Sequence, residues 1–415
     1  MDFNKHLKKY LNDKEINSLI ESFNEEEHKG LILNPSKMSD ERFIELFPKV
    51  EKHPFVEHAF LYKKEDYEFG KMIYHDLGCY YIQDPSASLV SYFLSPKENE
   101  HVLDMCAAPG GKSVQASMLM NGKGVLYSND LSFSRAMTLL GNVERMGLGN
   151  VVVLSHDLSK IKGLENSFDK VILDAPCSGS GMFRKDTKMK DDWTYEKVIK
   201  QSFIQKELIL LAYSFLKEGG TLVYSTCSYS FEEDEGVVKY LLDNSDAILL
   251  PLPKSDMFYV SKENIGIHLF PHRFKGEGHY ICLIKKPGTL TNNKVIQFEM
   301  MKKSSKKGVN EVNNYYTLPM TPIKKLVDIA IRPGLLTYIE DKNRKNISYH
   351  YSHYLDASNS YELNDEELRK YIHGETIALK DDKKYSLVSY EGNNIGPVYT
   401  ANKVLKNLYP KGLRR

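Results

Sequence analysis

The sequence predicts an α/β protein built on a doubly wound, mostly parallel sheet, with a small module at each end. Three observations carry that expectation. From about residue 85 to 288, short apolar runs alternate with longer amphipathic segments, as strands do when crossover helices join them. The first of these runs ends in a glycine-rich turn, and an acid follows each of the next three. Beyond residue 288 the composition turns polar and lysine-rich, marking a separate region.

Taken in order, residues 1 to about 80 mix helical signals with the apolar stretch Gly30-Leu31-Ile32-Leu33, which Asn34-Pro35 terminates. The candidate strands of the central region are Val102–Met105, Gly124–Asn129, Val151–Ser155, Val171–Asp174, Thr221–Ser225 and Tyr280–Lys285. Between them lie helical segments at Lys112–Met120, Ser132–Met146, Tyr195–Leu216 and Asp234–Leu242. The stretch Lys302-Lys303-Ser304-Ser305-Lys306-Lys307-Gly308 reads as a linker or exposed loop. After it, Pro322–Ile329 and Asp365–Tyr371 look helical, while Thr376–Ala378 and Tyr385–Ser389 look extended, which suits a small α+β module. Three domains are expected, at 1–84, 85–288 and 289–415, since 415 residues exceed one ordinary core.

The bulk composition narrows the class. With 41% hydrophobic and 27% charged residues and no run of eighteen apolar ones, a soluble protein without a membrane span is expected. The start, Met1 to Glu15, lacks the apolar stretch of a secretory signal, so the expected compartment is the cytoplasm. Five cysteines, at 79, 106, 177, 227 and 282, form no Cys-x-x-Cys pair and are odd in number. That argues against a disulfide framework and a structural zinc site. His268, His272 and His279 cluster in sequence, but without cysteine or acid spacing they read as structure, and no metal is expected. The net charge of +1 divides unevenly: residues 291–415 carry 21 basic against 14 acidic side chains, and the remainder 35 against 41. A basic appendage suggests a polyanionic partner, most simply nucleic acid.

The first strand runs into Asp104-Met105-Cys106-Ala107-Ala108-Pro109-Gly110-Gly111-Lys112-Ser113. A tight glycine turn before a helix lets backbone approach a ligand, and the helix N-terminus offers free N–H donors. A phosphate loop would need glycine at 106, where cysteine stands, and a dinucleotide fingerprint is absent. A nucleoside carrying an amino acid, S-adenosylmethionine, is the better fit. Asp130 follows the second strand, where an acid accepts hydrogen bonds from both ribose hydroxyls. Asp157 follows the third strand, suitably placed for an adenine amino group, and Asp174 ends the fourth. Acids at successive carboxyl ends line one crevice.

Two cysteines share that crevice. Cys177 lies in Asp174-Ala175-Pro176-Cys177-Ser178-Gly179-Ser180-Gly181, and Cys227 in Tyr224-Ser225-Thr226-Cys227-Ser228, each directly after a strand. Carbon 5 of a pyrimidine is too weak a nucleophile to take a methyl group unaided. A thiolate adding to carbon 6 makes the ring an enamine, whose carbon 5 attacks a sulfonium methyl. A second residue then assists loss of the carbon 5 proton, and an acid beside N3, a place Asp174 suits, stabilises the intermediate.

On Met105–Ser113, Asp174–Asp186, Tyr224–Ser230 and Ile267–Ile281, the chain resembles the Sun-type RNA 5-methylcytosine methyltransferases. Gly181-Met182-Phe183-Arg184-Lys185-Asp186 and the tail Lys406–Arg414 are similar to the RsmF-type bacterial subgroup that acts on 16S ribosomal RNA. The resemblance covers the whole chain, and Gln83-Asp84-Pro85-Ser86 resembles the entry to the catalytic domain. It implies a Rossmann-like class I methyltransferase between a ferredoxin-like N-terminal RNA-binding region and a PUA-like C-terminal one. It implies Cys227 as the nucleophile, Cys177 for product release, and Asp174 as the catalytic acid. The cofactor residues it implies are Cys106, Ala107, Ala108, Pro109, Gly110, Gly111, Lys112, Asp130, Arg135, Asp157 and Asp174, with S-adenosylmethionine as cofactor. The implied partner is ribosomal RNA or the small ribosomal subunit, with transfer RNA as the alternative, and a monomer is expected. DNA cytosine-5 enzymes use the Pro-Cys thiol as nucleophile, so two cysteines favour an RNA enzyme. Ile32 stands where the family commonly has Arg, while Phe231 and Asp234 replace Pro and Asn, a change expected to alter only a helix start. Arg184, Lys185, Lys188 and Lys190 are candidates for RNA phosphates, and Trp193 for an anchor under the active-site loop.

Overall fold

The computed structural model describes residues 3–184, 190–293, 295, 298–307, 310–341 and 344–414. Two helices, α1 (Phe3–Leu7) and α2 (Asp13–Ser22), precede β1 (Lys29–Leu33), α3 (Asp40–Leu46), β2 (Glu51–Lys52), β3 (Ala59–Tyr62), α4 (Ile73–Asp76) and β4 (Tyr80–Ile82). The four strands pair antiparallel in the order β2-β3-β1-β4. With helices between β1 and β2 and between β3 and β4, this is the split βαβ arrangement of ferredoxin-like folds.

The central region begins at α5 (Pro85–Leu94), where Asp84 accepts the backbone N–H groups of Ser86 and Ala87 and Pro85 opens the first turn. Then follow β5 (His101–Asp104), α6 (Gly111–Leu119), β6 (Val125–Asn129), α7 (Phe133–Met146), β7 (Val151–Leu154) and β8 (Phe168–Asp174). The chain continues through α8 (Tyr195–Phe215), β9 (Leu216–Thr226), α9 (Glu235–Asp243), β10 (Ile248–Leu250), β11 (Ile267–His268) and β12 (Tyr280–Lys285). The sheet order is β10-β12-β9-β8-β5-β6-β7, with β11 added at β12. Strands β5 to β9 pair parallel, whereas β12 runs antiparallel to β9 and β10. The parallel strands read as unbroken apolar runs such as Val-Val-Val-Leu in β7 because helices cover both faces. The chain winds outward from β5 through β6 to β7, then returns to β8 on the other flank. The switch point therefore lies between β5 and β8, where ligands of such sheets bind.

The lysine-rich stretch expected to be a linker or an exposed loop is strand over residues 302–307. These belong to β13 (Phe298–Lys307), which pairs with β14 (Asn310–Leu318) in the register Lys302↔Tyr315 and Lys303↔Asn314. After α10 (Lys324–Asp328), β15 (Leu335–Asp341) and β16 (Arg344–Ile347) complete the antiparallel sheet. Its apolar side packs on the catalytic core through Met301 and Leu318, joined by Met320, Leu326 and Ala330 from the following segment. Antiparallel sheets tolerate one wet face, so a polar composition does not preclude a strand. A further short helix, α11 (Tyr349–Ser352), leads to β17 (Tyr361–Glu362), α12 (Asp365–His373), β18 (Ile377–Ala378), β19 (Leu387–Tyr390), β20 (Asn393–Ala401) and β21 (Val404–Asn407). These strands form a mixed sheet in the order β17-β19-β20-β21-β18. Phe43, Phe60 and Tyr80 of the N-terminal module share one apolar cluster with Tyr371, Val388 and Leu405, so the two ends of the chain are packed together. Among the described residues, no helix is long and apolar enough to cross a membrane.

Candidate active site

The turn from Cys106 to Gly110 joins β5 to α6. Gly110 sits at φ +121°, a conformation that L side chains rarely adopt, and a Cβ there would meet Leu139 Cδ1 at 3.0 Å. No side chain caps α6, so the N–H groups of its first turn face the crevice free of a capping side chain. Asp130, buried after β6, accepts the Ser132 N–H at 3.0 Å and lies 3.3 Å from Arg135 Nη2. Arg135 also donates to the Ala108 carbonyl at 2.7 Å, tying Asp130 to the glycine turn. Burial and neighbouring carboxylates push the Cys106 thiol up, so it stays neutral. An open helix N-terminus for a carboxylate and a buried acid for vicinal hydroxyls fit S-adenosylmethionine.

Asp174, at the end of β8, joins this turn to the chemistry. Its Oδ2 lies 2.8 Å from Lys112 Nζ, and its Oδ1 accepts Ser225 Oγ at 2.8 Å and lies 3.8 Å from His279 Nε2. Burial pushes its carboxyl up, but Lys112 and His279 outweigh that and leave it below the ordinary range. Burial and Lys112 press His279 down to about 4, so it is neutral at physiological pH. From sequence, His279 reads as a structural histidine with no metal to hold. Its place beside Asp174 depends on β12 lying against β9.

The two cysteines meet. Cys177 Sγ and Cys227 Sγ are 3.1 Å apart, both half-buried, on the loops after the neighbouring strands β8 and β9. The hydrogen bond with Cys227, burial, the Cys227 charge and the charge of Glu233 all raise Cys177 well above an ordinary thiol. The loops are stitched together where the Gly181 N–H donates to the Cys227 carbonyl at 2.7 Å and the Tyr229 N–H to Ser180 Oγ at 2.8 Å.

Other expectations fare differently. Asp157 accepts Ser159 Oγ at 2.6 Å and pairs with Lys160 at 3.2 Å, capping a short turn after β7. Arg184 is not available to RNA: its side chain is buried, and it donates to Glu277 at 2.8 Å and to the Gly276 carbonyl at 2.8 Å. Lys185 and Lys188 lie outside the described residues. The three histidines do not converge, since His272 pairs with Glu15 and His268 with Glu235, each at 2.8 Å. His268, Asp234 and Glu235 do hold their ligand atoms within 4.8 Å of one another. Asp234 does more than start a helix, because it accepts Thr226 Oγ1 at 2.5 Å, next to Cys227. Trp193 packs against Phe3 and Phe183 and anchors the loop after Cys177.

A sheet ordered β7-β6-β5-β8-β9-β12-β10 with β12 reversed, a glycine turn after β5 and a buried acid after β6 define a class I S-adenosylmethionine-dependent methyltransferase. Family models agree along the chain: the 16S rRNA methyltransferase RsmB/F model matches residues 91–285, the RsmF N-terminal domain 1–85, and the RsmF PUA domain 358–415. The protein belongs to this RsmB/F family and is an S-adenosylmethionine-dependent RNA cytosine-C5 methyltransferase. Ribosomal RNA small subunit methyltransferase F of Shewanella piezotolerans is 30% identical, across 92% of this chain and 90% of its own. A tRNA (cytosine(49)-C(5))-methyltransferase of Pyrococcus abyssi is 39% identical, across 55% of this chain and 77% of its own. Among solved structures, a methyltransferase homologue from Pyrococcus horikoshii is 29% identical with a TM-score of 0.61, covering 68% of this chain and 93% of that one.

Proposed function

We propose that the protein methylates carbon 5 of a cytosine in 16S ribosomal RNA through a covalent bond between Cys227 and carbon 6, with Cys177 releasing the product. One observation carries this reading: two thiols 3.1 Å apart at adjacent strand ends, beside Asp174. S-adenosylmethionine, when bound, supplies an electrophilic methyl group. The open turn of α6 and Lys112 receive its amino-acid end, Asp130 with Arg135 the ribose, and Asp157 the adenine. A target base must leave its stack to reach the crevice. Cys227 passes its proton by way of Asp174 to N3 as Sγ adds to carbon 6, and the new N3–H donates to the Asp174 carboxylate while carbon 5 becomes nucleophilic. Cys177 begins as a protonated thiol and does not compete for carbon 6. Once Cys227 is a thioether, its charge no longer holds Cys177 up. Cys177 can then lose its proton to solvent and take the carbon 5 proton, which expels the Cys227 thiolate and restores the ring.

Residues 1–84 and 289–415 are the RNA-binding flanks of this reading, with the basic excess of the second suited to phosphate contacts. The enzyme works as a cytoplasmic monomer. Transfer RNA is the second reading, because the Pyrococcus abyssi relative is named for it. Ribosomal RNA is preferred because the RsmF models match both flanks, whereas that relative spans 55% of the chain. Bisulfite mapping of both RNA classes, with and without the protein, decides. A new 5-methylcytosine in 16S RNA supports the proposal, and one only in transfer RNA overturns its substrate.

A further inference from the structure

We propose that Glu233 is the positioning residue that holds the two thiols in register and keeps the proton on Cys177 rather than sharing it with Cys227. The inference rests on the cysteine roles proposed above. Glu233 is fully buried just ahead of α9. Its Oε1 accepts the Ser178 N–H at 2.7 Å and Gln205 Nε2 at 3.2 Å, and its Oε2 accepts Ser178 Oγ at 2.5 Å and Ser228 Oγ at 2.6 Å. Ser178 directly follows Cys177, and Ser228 directly follows Cys227. One carboxylate thereby ties the loop after β8 to the loop after β9. Gln205 also donates to the Pro176 carbonyl at 2.8 Å, bracing the residue before Cys177 from α8.

The donor set selects a carboxylate. Four donors converge on two oxygens, and only an acceptor-only group takes them all. A glutamine would offer one oxygen and turn its own N–H groups against the others. Burying a carboxylate is far costlier than burying an apolar side chain, so packing alone would not call for one here. The charge also acts on the Cys177 sulfur: Glu233 adds to the effects of the Cys227 contact and burial that hold Cys177 protonated.

The test combines steady-state methylation of a ribosomal RNA transcript with iodoacetamide alkylation, mapped to each cysteine from pH 6 to 10 on the full-length protein. Glu233→Gln should lower kcat about 100-fold, the scale expected for a misplaced reacting group. RNA KM should stay within about threefold, since uniform binding is untouched. The pH midpoint for Cys177 alkylation should fall, because the neighbouring negative charge is gone. Glu233→Asp keeps the charge on a shorter arm and should restore the midpoint while kcat stays reduced. A purely structural residue would change alkylation rates without moving the midpoint. An unmoved midpoint in Glu233→Gln, or a wild-type kcat, overturns the proposal. If Glu233→Gln does not fold, Ser228→Ala removes one donor and should lower kcat about tenfold with an unmoved midpoint; an unchanged kcat there also overturns it. Whether Cys227→Ala loses the covalent RNA adduct tests the cysteine roles separately.

Discussion

Replacing Lys112 with methionine should expose how strongly the site depends on one ion pair. Lys112 Nζ lies 2.8 Å from Asp174 Oδ2, with the side chains only 15% and 26% exposed. Removing one partner of a buried pair costs about 3–5 kcal/mol, and the partial exposure of Asp174 puts this pair near 3 kcal/mol. The cost should depend on pH. In the wild type, Asp174 is held below its ordinary range, so its contribution is present above the unfolded carboxyl value of about 4 and is lost as pH falls through the native value. In Lys112→Met, burial acts on Asp174 without its main counterweight and the carboxyl rises. His279, released from the repulsion that helps hold it at about 4, rises as well. Both groups then take up protons in mildly acidic solution, and an imidazolium can replace the lost ammonium. The stability deficit should therefore be largest near pH 8 and shrink toward pH 5. Urea denaturation followed by circular dichroism at four pH values measures it. A deficit below about 1 kcal/mol at pH 8, or one that does not change with pH, would refute the reasoning.

Three further outcomes are expected. Cys227→Ala should abolish methylation and the covalent RNA adduct, whereas Cys177→Ala should accumulate protein cross-linked to RNA on a denaturing gel; the opposite pattern would reverse the roles. Asp130→Ala removes the proposed ribose anchor and should weaken S-adenosylmethionine binding about 10- to 100-fold by calorimetry, the usual worth of a hydrogen bond to a charged group. Unchanged affinity would sink that assignment. Gly181→Ala puts a Cβ 2.8 Å from the Cys227 carbonyl and 2.9 Å from that of Gly278, so the nucleophile loop must move. Methylation should fall about 100-fold while cofactor affinity holds, and full activity would show that the loop tolerates the shift.

Much of this enzyme is written locally. A run such as Val151–Leu154 is buried on both sides whatever its neighbours are, so the parallel strands and their crossover helices were readable to within a few residues. The crevice was readable for the same reason: Asp130 and Cys227 directly follow strands, Asp174 ends one with Cys177 three residues beyond, and strand ends in a doubly wound sheet face one side. Other features depend on which segments meet. The stretch at 302–307 lacks apolar alternation and became strand because β14 supplies its hydrogen bonds. Arg184 looked like an exposed cation beside a motif until Glu277, 93 residues away, was brought against it. Glu233 sat in an acidic run with no signal of its own; only the pairing of β8 with β9 delivers Ser178, 55 residues earlier, to its carboxylate. Burial patterns and strand-end motifs report on a residue's own segment, so sequence alone determined most elements of the central sheet and the cofactor class, and put two cysteines at neighbouring strand ends. Partners of buried charges come from distant segments, so only the tertiary structure decided that Lys112 and His279 tune Asp174 and that one carboxylate couples the two cysteine loops.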